Sequence, residues 1–173
     1  EQSFFRKLLR NRFAAIGFFI INLLILTAII APVLATHDPY SMDVTKTLLK
    51  PGESGHILGT DSFGRDIYSR IIYGARISLL VGISAVLFGA VFGSLLGLIS
   101  GYFGGKIDAV IMRMMDGMMA FPFILLAIVL MTVLGQGLVN VIIAIGVSNI
   151  PGFARVIRGQ VINVKESDYI EVT

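Results

Sequence analysis

The apolar residues of this chain fall into three long uncharged runs, separated by shorter polar segments. A helix rises about 1.5 Å per residue, so a hydrocarbon core about 30 Å thick takes roughly 20 apolar residues to cross. The first two runs have this length, but the third, residues 117–154, is too long for one crossing and contains a turn signal at Gly135 and Gly137. The pattern predicts an all-α integral membrane protein, a polytopic helix bundle with spans at 13–35, 77–100, 118–134 and 138–154.

Prolines and a cleavage-like sequence bear on the ends of these spans. Pro122 lies early in the third span and Pro151 late in the fourth, where proline kinks a helix or marks its edge. The first span could instead be a cleaved signal peptide, since residues 33–35 resemble a cleavage site. Because the apolar region of a signal peptide runs to about 15 residues and this one is longer, we expect an uncleaved anchor.

Composition supports lipid as the solvent of these runs. The chain is 55% apolar and only 14% charged, against about 25% charged in typical soluble domains. It has no cysteine, which excludes a disulfide framework and thiolate metal sites. The formal charge of +3 lies wholly in residues 1–12. No basic stripe follows, so we expect no nucleic-acid partner.

The basic N-terminal tail predicts the orientation. Residues 1–12 hold four basic side chains against one acidic side chain, and basic residues next to a span stay in the cytoplasm. The tail is therefore expected inside and the loop 36–76 outside. Two later segments, 101–117 and 155–173, are then cytoplasmic.

The second span carries a stripe of small residues, namely Gly82, Ala85, Gly89, Gly93 and Gly97. Small residues at four-residue spacing let a second helix approach closely. The general tolerance of membrane helices for glycine would also explain them, but three glycines in register favour tight helix packing. The sequence leaves open whether the partner helix belongs to this chain.

The outer loop contains the most polar patterned stretch, residues 56–70. Asp61 is predicted to cap a short amphipathic helix at about 61–74, in which Asp61 pairs with Arg65 and Asp66 with Arg70 at i,i+4. This helix would anchor the start of the second span. A docking or gating surface is the other interpretation, and the residues by themselves favour the anchor.

Signals for chemistry are weak in this sequence. The segment 101–106 is glycine-rich, but Ser100 and Ile107 stand where a phosphate-binding loop needs glycine and a hydroxyl residue. His37 and His56 are far apart in a loop, so we expect them to be solvated rather than metal ligands. No catalytic set is visible. We therefore expect no enzymatic activity, cofactor site or metal site in this chain.

The cytoplasmic loop places Asp108 and Asp116 on one helical face, and Arg113 could pair with Asp116 at i,i+3. These charged side chains would either lie in water at the start of a helix or make polar contacts between helices. The sequence leaves both interpretations open. The segment 153–160 is predicted to continue the fourth helix beyond the membrane.

Seven segments of the chain form an ordered set of motifs. They are HILGTDSFGRDIYSR at 56–70, GARISL at 74–79, GYFGGKID at 101–108, MRMMD at 112–116, Phe121-Pro122, ARVIRGQ at 154–160 and ESDYIE at 166–171. In order and spacing they resemble the inner-membrane permease subunits of ATP-binding-cassette importers for di- and oligopeptides and their nickel and glutathione relatives. The resemblance covers nearly the whole chain and fits the subunit type with a long first outer loop.

The resemblance implies a permease of about six spans in a bacterial or archaeal cytoplasmic membrane. Such a subunit pairs with a second permease, is driven by two cytoplasmic ATPase subunits that hold ATP and Mg²⁺, and receives solute from an extracytoplasmic binding protein. The family's coupling loop begins with Glu-Ala-Ala. Glu171 matches this start, but Val172 and Thr173 replace the alanines and the chain then stops. We therefore expect an N-terminal portion of a longer protein.

The resemblance also assigns candidate roles to residues, and it makes an outer gate or binding-protein docking as plausible for the outer loop as anchoring. Candidate ATPase-coupling residues are Lys165, Glu166, Asp168, Tyr169 and Glu171. Candidate outer gate or docking residues are Gly59, Thr60, Asp61, Gly64, Arg65, Asp66 and Arg70. Candidate helix-packing residues are Gly82, Gly89, Gly93 and Gly97.

Two other classes of function remain as rivals. A secondary transporter or channel works without an ATPase and usually carries ionisable residues at mid-membrane, but none lies inside the four predicted spans. A membrane assembly subunit would transport nothing. Co-purification of an ATPase would favour the importer over both. The solute, whether dipeptide, oligopeptide, nickel or glutathione, cannot be read from the sequence, and neither can the residues that line the path.

Overall fold

The computed structural model describes residues 11–165, and the chain divides into two compact units, Glu1–Leu80 and Val81–Thr173. Within the described residues, the β structure is limited to one isolated bridge between Thr60 and Asp66. The chain is an all-α polytopic membrane protein. Its α-helices in this range are α1 Arg12–Ile29, α2 Ala31–Leu34, α3 Ile67–Phe103, α4 Gly105–Met119, α5 Phe123–Leu134 and α6 Leu138–Lys165.

The first membrane helix, α1, begins at a side-chain cap and ends before a proline. The Oδ1 atom of Asn11 accepts hydrogen bonds from the backbone N–H groups of Phe13 (3.1 Å) and Ala14 (3.4 Å). The sequence predicted one span over 13–35, whereas α1 stops at Ile29 and the short helix α2 follows. Pro32 explains the break, because its ring displaces the backbone of the preceding turn and it has no N–H to donate.

Three helices, α1, α3 and α6, are long and apolar enough to cross a membrane. The third span was predicted at 118–134 with a kink or an edge at Pro122, whereas in the structure α4 and α5 form a pair bent by 93°, a broken span or a re-entrant loop. By itself α5 has 12 residues, or about 18 Å of helix, which is shorter than a bilayer core. Pro122 lies at the bend, where its missing N–H ends the helical hydrogen bonding.

The turn between α5 and α6 falls at the predicted glycines. Gly135 has φ +82° and Gly137 has φ +139°, conformations that glycine adopts without strain. The side-chain amide of Asn140 donates to the carbonyl oxygen of Leu134 (2.7 Å), which would otherwise be left unpaired at the end of α5. The turn is thus closed by a side chain that the apolar pattern does not reveal.

The last described helix, α6, runs for 28 residues through the predicted span end at Ala154 to Lys165. It contains Pro151, which is buried, as are Ala144 and Ala154. These small or compact side chains form the face on which other helices of the second unit pack.

Candidate functional site

Residues 36–66, which precede α3 and were predicted to lie outside, are called the outer segment. Two tight turns shape it, and both require glycine. Gly59 has φ +77° and Gly64 has φ +73°. A Cβ atom at Gly59 would overlap the carbonyl oxygen of Leu49, and one at Gly64 would overlap the carbonyl oxygen of Asp43. A side chain is therefore excluded at these positions both by the backbone conformation and by the close approach of the backbone at Leu49 and Asp43.

Asp61 organises the turn between these glycines. Its Oδ1 atom accepts hydrogen bonds from the backbone N–H groups of Phe63 (2.9 Å) and Arg65 (3.0 Å), and its Oδ2 atom accepts from Nε of Arg65 (2.7 Å). Partial burial would raise the pKa of Asp61, but the N–H groups of Arg65 and Phe63 and the Arg65 guanidinium lower it below the usual value. Asp61 therefore stays ionised and holds the turn at neutral pH.

Thr60 connects this turn to the preceding chain. Its hydroxyl donates to the carbonyl oxygen of Lys46 and accepts from the backbone N–H of Leu49 (2.9 Å). The residue is buried, and its backbone N–H donates to the carbonyl oxygen of Leu49 (3.2 Å). The predicted outer-loop residues thus form a compact folded segment.

The predicted amphipathic helix at 61–74 is wrong in its first turn. The helix α3 begins at Ile67, and its start is capped by Asp66, whose Oδ2 atom accepts from the backbone N–H of Ser69 (2.8 Å). The positive φ of Gly64 explains the correction, because a residue in that conformation interrupts a right-handed helix. Asp61 closes the turn before the helix instead of capping it.

The predicted ion pairs are partly corrected as well. Asp61 and Arg65 do pair, as the i,i+4 spacing suggested. Asp66, however, turns its Oδ1 atom to His56. Arg70 lies with its Nε atom 3.8 Å from Oδ2 of Asp61 and donates to the carbonyl oxygen of Pro39 (3.4 Å). Both arginines therefore surround the same carboxylate.

The expectation of two separate solvated histidines is wrong. His56 is buried, and its Nδ1 atom lies 2.8 Å from Oδ1 of Asp66. The rings of His37 and His56 stack with centroids 4.3 Å apart. Burial would raise the pKa of Asp66, but Ser69, His56 and His37 together lower it below the usual value. The folding of the outer segment brings the three groups together, which sequence separation alone does not reveal.

The glycine stripe of α3 packs against α6 of the same chain, which answers the question that the sequence left open. A Cβ atom at Gly89 would lie 2.7 Å from Cβ of Asn149, and one at Gly93 would lie 2.6 Å from the carbonyl oxygen of Ile150. Gly97 faces the carbonyl oxygen of Ala154 in the same way, at 2.5 Å. The two backbones are thus in direct contact along a seam, as small residues permit.

Two other glycines refine this seam. Gly101 continues it, since an added Cβ atom there would lie 2.8 Å from Cβ of Val161. Gly82 does not belong to it, because an added Cβ atom at Gly82 would meet nothing within 4 Å in the described part of the chain. The glycines of the seam therefore run from Gly89 to Gly101: Gly82, which was predicted, is absent from it, and Gly101, which was not predicted, belongs to it.

Charged side chains on the same stretch of α6 join this helix to α4. The guanidinium of Arg158 donates to both carboxylate oxygens of Asp108 at 2.5 Å, and the hydroxyl of Ser100 donates to the same carboxylate at 2.5 Å. Arg155 donates to Asp116, also at 2.5 Å. Of the two interpretations left open, contact between helices is therefore the one that the structure supports, and the partner of Asp116 is Arg155.

Lys165, a predicted coupling residue, lies at the end of α6. Its Nζ atom donates to the carbonyl oxygen of Tyr102 (3.1 Å), so the ends of α6 and α3 are joined here too. The other predicted coupling residues, Glu166, Asp168, Tyr169 and Glu171, lie outside the described residues, as do residues 1–10 of the basic tail.

Sequence reasoning missed the partners on α6. Arg155 and Arg158 lie in a matched motif, but no spacing rule connects them to Asp108 and Asp116, which are about 40 to 50 residues away. The available signal was the order of charged residues, since the first charged side chains after Asp116 are Arg155 and Arg158, both within α6. Acidic side chains next to long apolar runs need partners, and these two arginines supply them.

Comparison with known proteins covers nearly the whole chain. Residues 93–173 match a family described as binding-protein-dependent transport system inner membrane component, and residues 2–51 match the N-terminal TM domain of oligopeptide transport permease C.

Individual relatives agree with these families. A dipeptide transport system permease protein of Alkalihalophilus pseudofirmus is 46% identical over 166 residues, which is 96% of this chain and 54% of that protein. That of Bacillus subtilis is 39% identical, covering 98% and 52%. A glutathione transport system permease protein of Pectobacterium atrosepticum is 44% identical, covering 98% and 56%. The chain thus spans about half the length of the curated relatives it matches.

Proposed function

Since the chain belongs to the family of binding-protein-dependent inner-membrane transport components, we propose that it acts within a full-length permease subunit of an ATP-binding-cassette importer for di- or oligopeptides. The observation that carries this proposal is 39–46% identity over almost the whole chain to dipeptide permeases. The similarity includes both the predicted outer loop and the helices that follow it.

The partners follow from the family. A second permease would complete the translocation path, an extracytoplasmic binding protein would deliver the solute, and two cytoplasmic subunits would bind ATP and Mg²⁺. No catalytic step is assigned to this chain. The N-terminus and the end of α6 would both face the cytoplasm, in keeping with the basic tail.

The second unit suggests how movement would pass from an ATPase to the membrane. The end of α6 is joined to α4 through Asp108 and Arg158 and to the end of α3 through Lys165. A displacement of the segment after α6 would therefore move three helices together. In this proposal the helices of the permease exist in two packing arrangements in equilibrium. ATP binding can shift that equilibrium only if ATP has a higher affinity for the transporter in one arrangement than in the other, so both arrangements must be stable.

A glutathione importer is the second candidate, because a glutathione permease is 44% identical over 98% of the chain, close to the value for the dipeptide relatives. Both solutes are short peptides with free carboxylates. The sequence identities to the dipeptide and glutathione permeases are similar and do not favour one solute over the other.

The experiment is a solute uptake assay in a host from which the complete gene has been deleted. Radiolabelled dipeptide and glutathione are offered separately, and we expect one of them to be taken up only when the gene is restored. Uptake should survive an uncoupler that collapses ion gradients and stop when ATP is depleted. The reverse pattern would indicate a secondary transporter. Unchanged uptake of both solutes in the deletion host would contradict the proposal.

A further inference from the structure

Both histidines of the chain lie beside one buried carboxylate. His37, His56 and Asp66 each offer a ligand atom, and these atoms all lie within 4.8 Å of one another. Nδ1 of His56 is 2.8 Å and Nδ1 of His37 is 3.8 Å from Oδ1 of Asp66. Residues 29 positions apart in sequence thus converge on a single oxygen atom.

The cluster combines buried and accessible members. The side chains of Asp66 and His56 are 1% and 7% exposed, whereas that of His37 is 40% exposed. Asp66 is fixed by the N–H of Ser69, and the hydroxyl of Ser69 accepts from the backbone N–H of His37 (3.1 Å). Asp66 and His56 are therefore held in place by their surroundings, and His37 lies on the solvent-accessible side of the cluster.

A cavity of about 170 Å³ opens onto the three side chains. Asp38, Asp43 and Lys46 also line it. Nζ of Lys46 lies 3.5 Å from Oδ2 of Asp43, so the charges of these two side chains offset each other. The remaining carboxylates, Asp38 and Asp66, leave an excess of negative charge. Since a water molecule occupies about 30 Å³ of liquid, the cavity has room for a hydrated cation.

We propose that His37, His56 and Asp66 form a binding site for a divalent transition-metal cation, with Zn²⁺ as the best match. Two imidazoles and one carboxylate with an open fourth position are a ligand set that Zn²⁺ uses. Bonds of about 2.1 Å in tetrahedral geometry separate the ligand atoms by about 3.4 Å. The observed 2.8 and 3.8 Å lie on either side of this value.

Binding would require one proton to leave Nδ1 of His56 and one small movement of a side chain. A carboxylate only accepts hydrogen bonds, so Nδ1 of His56 carries the proton that it shares with Asp66. The cation takes the place of this proton between the two atoms, and the imidazole stays neutral because its single proton is then carried by Nε2. The accessible ring of His37 moves to close the site. Its present partner, the hydroxyl of Thr36 at 3.0 Å, is exposed and easily replaced by water.

The site lies outside the proposed transport mechanism, and its test measures no transport. The full-length protein is purified in detergent through an affinity tag without histidine, treated with a chelator, dialysed and titrated calorimetrically with ZnCl₂ alone. We expect one Zn²⁺ per chain with a dissociation constant on the order of micromolar or tighter. Thermal unfolding should shift to higher temperature as Zn²⁺ is added.

Two variants give the comparison. His37→Asn keeps a polar partner for Thr36 and leaves the buried pair of His56 and Asp66 intact, so the metal-free protein should unfold at the wild-type temperature. Its Zn²⁺ affinity should fall by at least about tenfold. The matched control, Asp38→Asn, changes a carboxylate of the same cavity but keeps the acceptor for the N–H of Tyr40. It should bind Zn²⁺ within about threefold of wild type, because metal affinity depends on the ligand set.

The proposal is overturned if wild-type protein shows no stoichiometric binding up to about 100 µM Zn²⁺, a concentration at which even modest sites fill. It is also overturned if His37→Asn binds as tightly as wild type, since the cluster would then be a structural pair and the ion would bind elsewhere. Should His37→Asn prove unstable, His37→Gln replaces it under the same criterion.

Discussion

The guanidinium of Arg158 donates hydrogen bonds to both carboxylate oxygens of Asp108, a residue 50 positions earlier in the sequence. The two side chains are 33% and 18% exposed, so the pair is partly withdrawn from solvent. Bidentate pairs of this kind are stronger and more specific in geometry than single hydrogen bonds. This contact fixes α6 to α4.

Replacing Asp108 with Asn tests the strength of this contact. Asn retains the shape but loses the charge and one acceptor, which leaves Arg158 partly unpaired. We expect the full-length protein to lose about 1–3 kcal/mol of unfolding free energy, less than for a fully buried pair because water still reaches the arginine. Denaturant titration in mixed micelles measures this loss.

Asp116→Asn is the matched control. Its pair with Arg155 has the same 2.5 Å contact, but the two side chains are 51% and 46% exposed. We expect a loss of about 0–1 kcal/mol, as for other exposed pairs. Equal losses in the two variants would show that burial does not decide the strength of these contacts.

Gly93→Leu tests the seam between α3 and α6. An added Cβ atom would lie 2.6 Å from the carbonyl oxygen of Ile150 and 2.7 Å from Cβ of Phe153, and neither can move without shifting α6. We expect a loss of at least about 1–3 kcal/mol and reduced uptake. The same denaturant titration and the uptake assay report the two effects.

Gly82→Leu provides the comparison on the same helix. Nothing lies within 4 Å of an added Cβ atom at this position in the described part of the chain, and leucine is the better helix former by roughly 0.5–1 kcal/mol. Stability should stay the same or rise slightly. A Gly93→Leu protein as stable as Gly82→Leu would refute the close approach of the two backbones.

Gly64→Ala tests the turn that delays the start of α3. Two effects oppose alanine here, namely the positive φ and the overlap with the carbonyl oxygen of Asp43. Gly52→Ala separates them, because Gly52 has φ +85° but open space around it. We expect about 1–2 kcal/mol of local destabilisation at Gly52 and clearly more at Gly64.

Hydrogen exchange of the segment 43–66 provides the measurement. Faster exchange in Gly64→Ala than in Gly52→Ala is the expected order. The same rate in both variants would mean that the backbone conformation, rather than the contact with Asp43, is what requires glycine at position 64.

Single cysteines test the proposed orientation, and the chain contains no cysteine of its own to interfere. Glu53 and Lys106 are exposed in the structure and suit substitution. A membrane-impermeant maleimide should label Glu53→Cys in intact spheroplasts and Lys106→Cys only after permeabilisation, because basic tails stay inside. Labelling of Glu53→Cys only after permeabilisation would reverse the topology.

Much of the helical architecture follows from local sequence. Long apolar runs predict membrane helices because hydropathy is a property of each segment by itself, and Gly135 and Gly137 mark their turn for the same reason. Pro122 was expected to kink the third span or mark its edge, and it lies at the start of α5, whereas the break at Pro32 between α1 and α2 was not predicted. A proline predicts a disturbance, but the direction in which the chain continues depends on packing.

The outer segment was harder to predict because its contacts are not local. The spacing of Asp66 and Arg70 suggested a helical pair, but the rule holds only if the residues between them and before them are helical. Gly64 breaks that condition, and Asp66 is then free to cap α3 and meet His56. The cluster of His37, His56 and Asp66 arises from chain folding over tens of residues, for which no periodic pattern exists.

The seam along α3 also restricts how these two helices can change together over evolution. At positions 93 and 97 a larger side chain would meet carbonyl oxygens of α6, which every amino acid possesses, so no substitution on α6 can make room for it. At position 101 the nearest obstacles are Cβ and Cγ1 of Val161, which glycine at position 161 would remove. Among homologous sequences, positions 101 and 161 should therefore covary, whereas 93 and 97 should stay glycine whatever stands opposite.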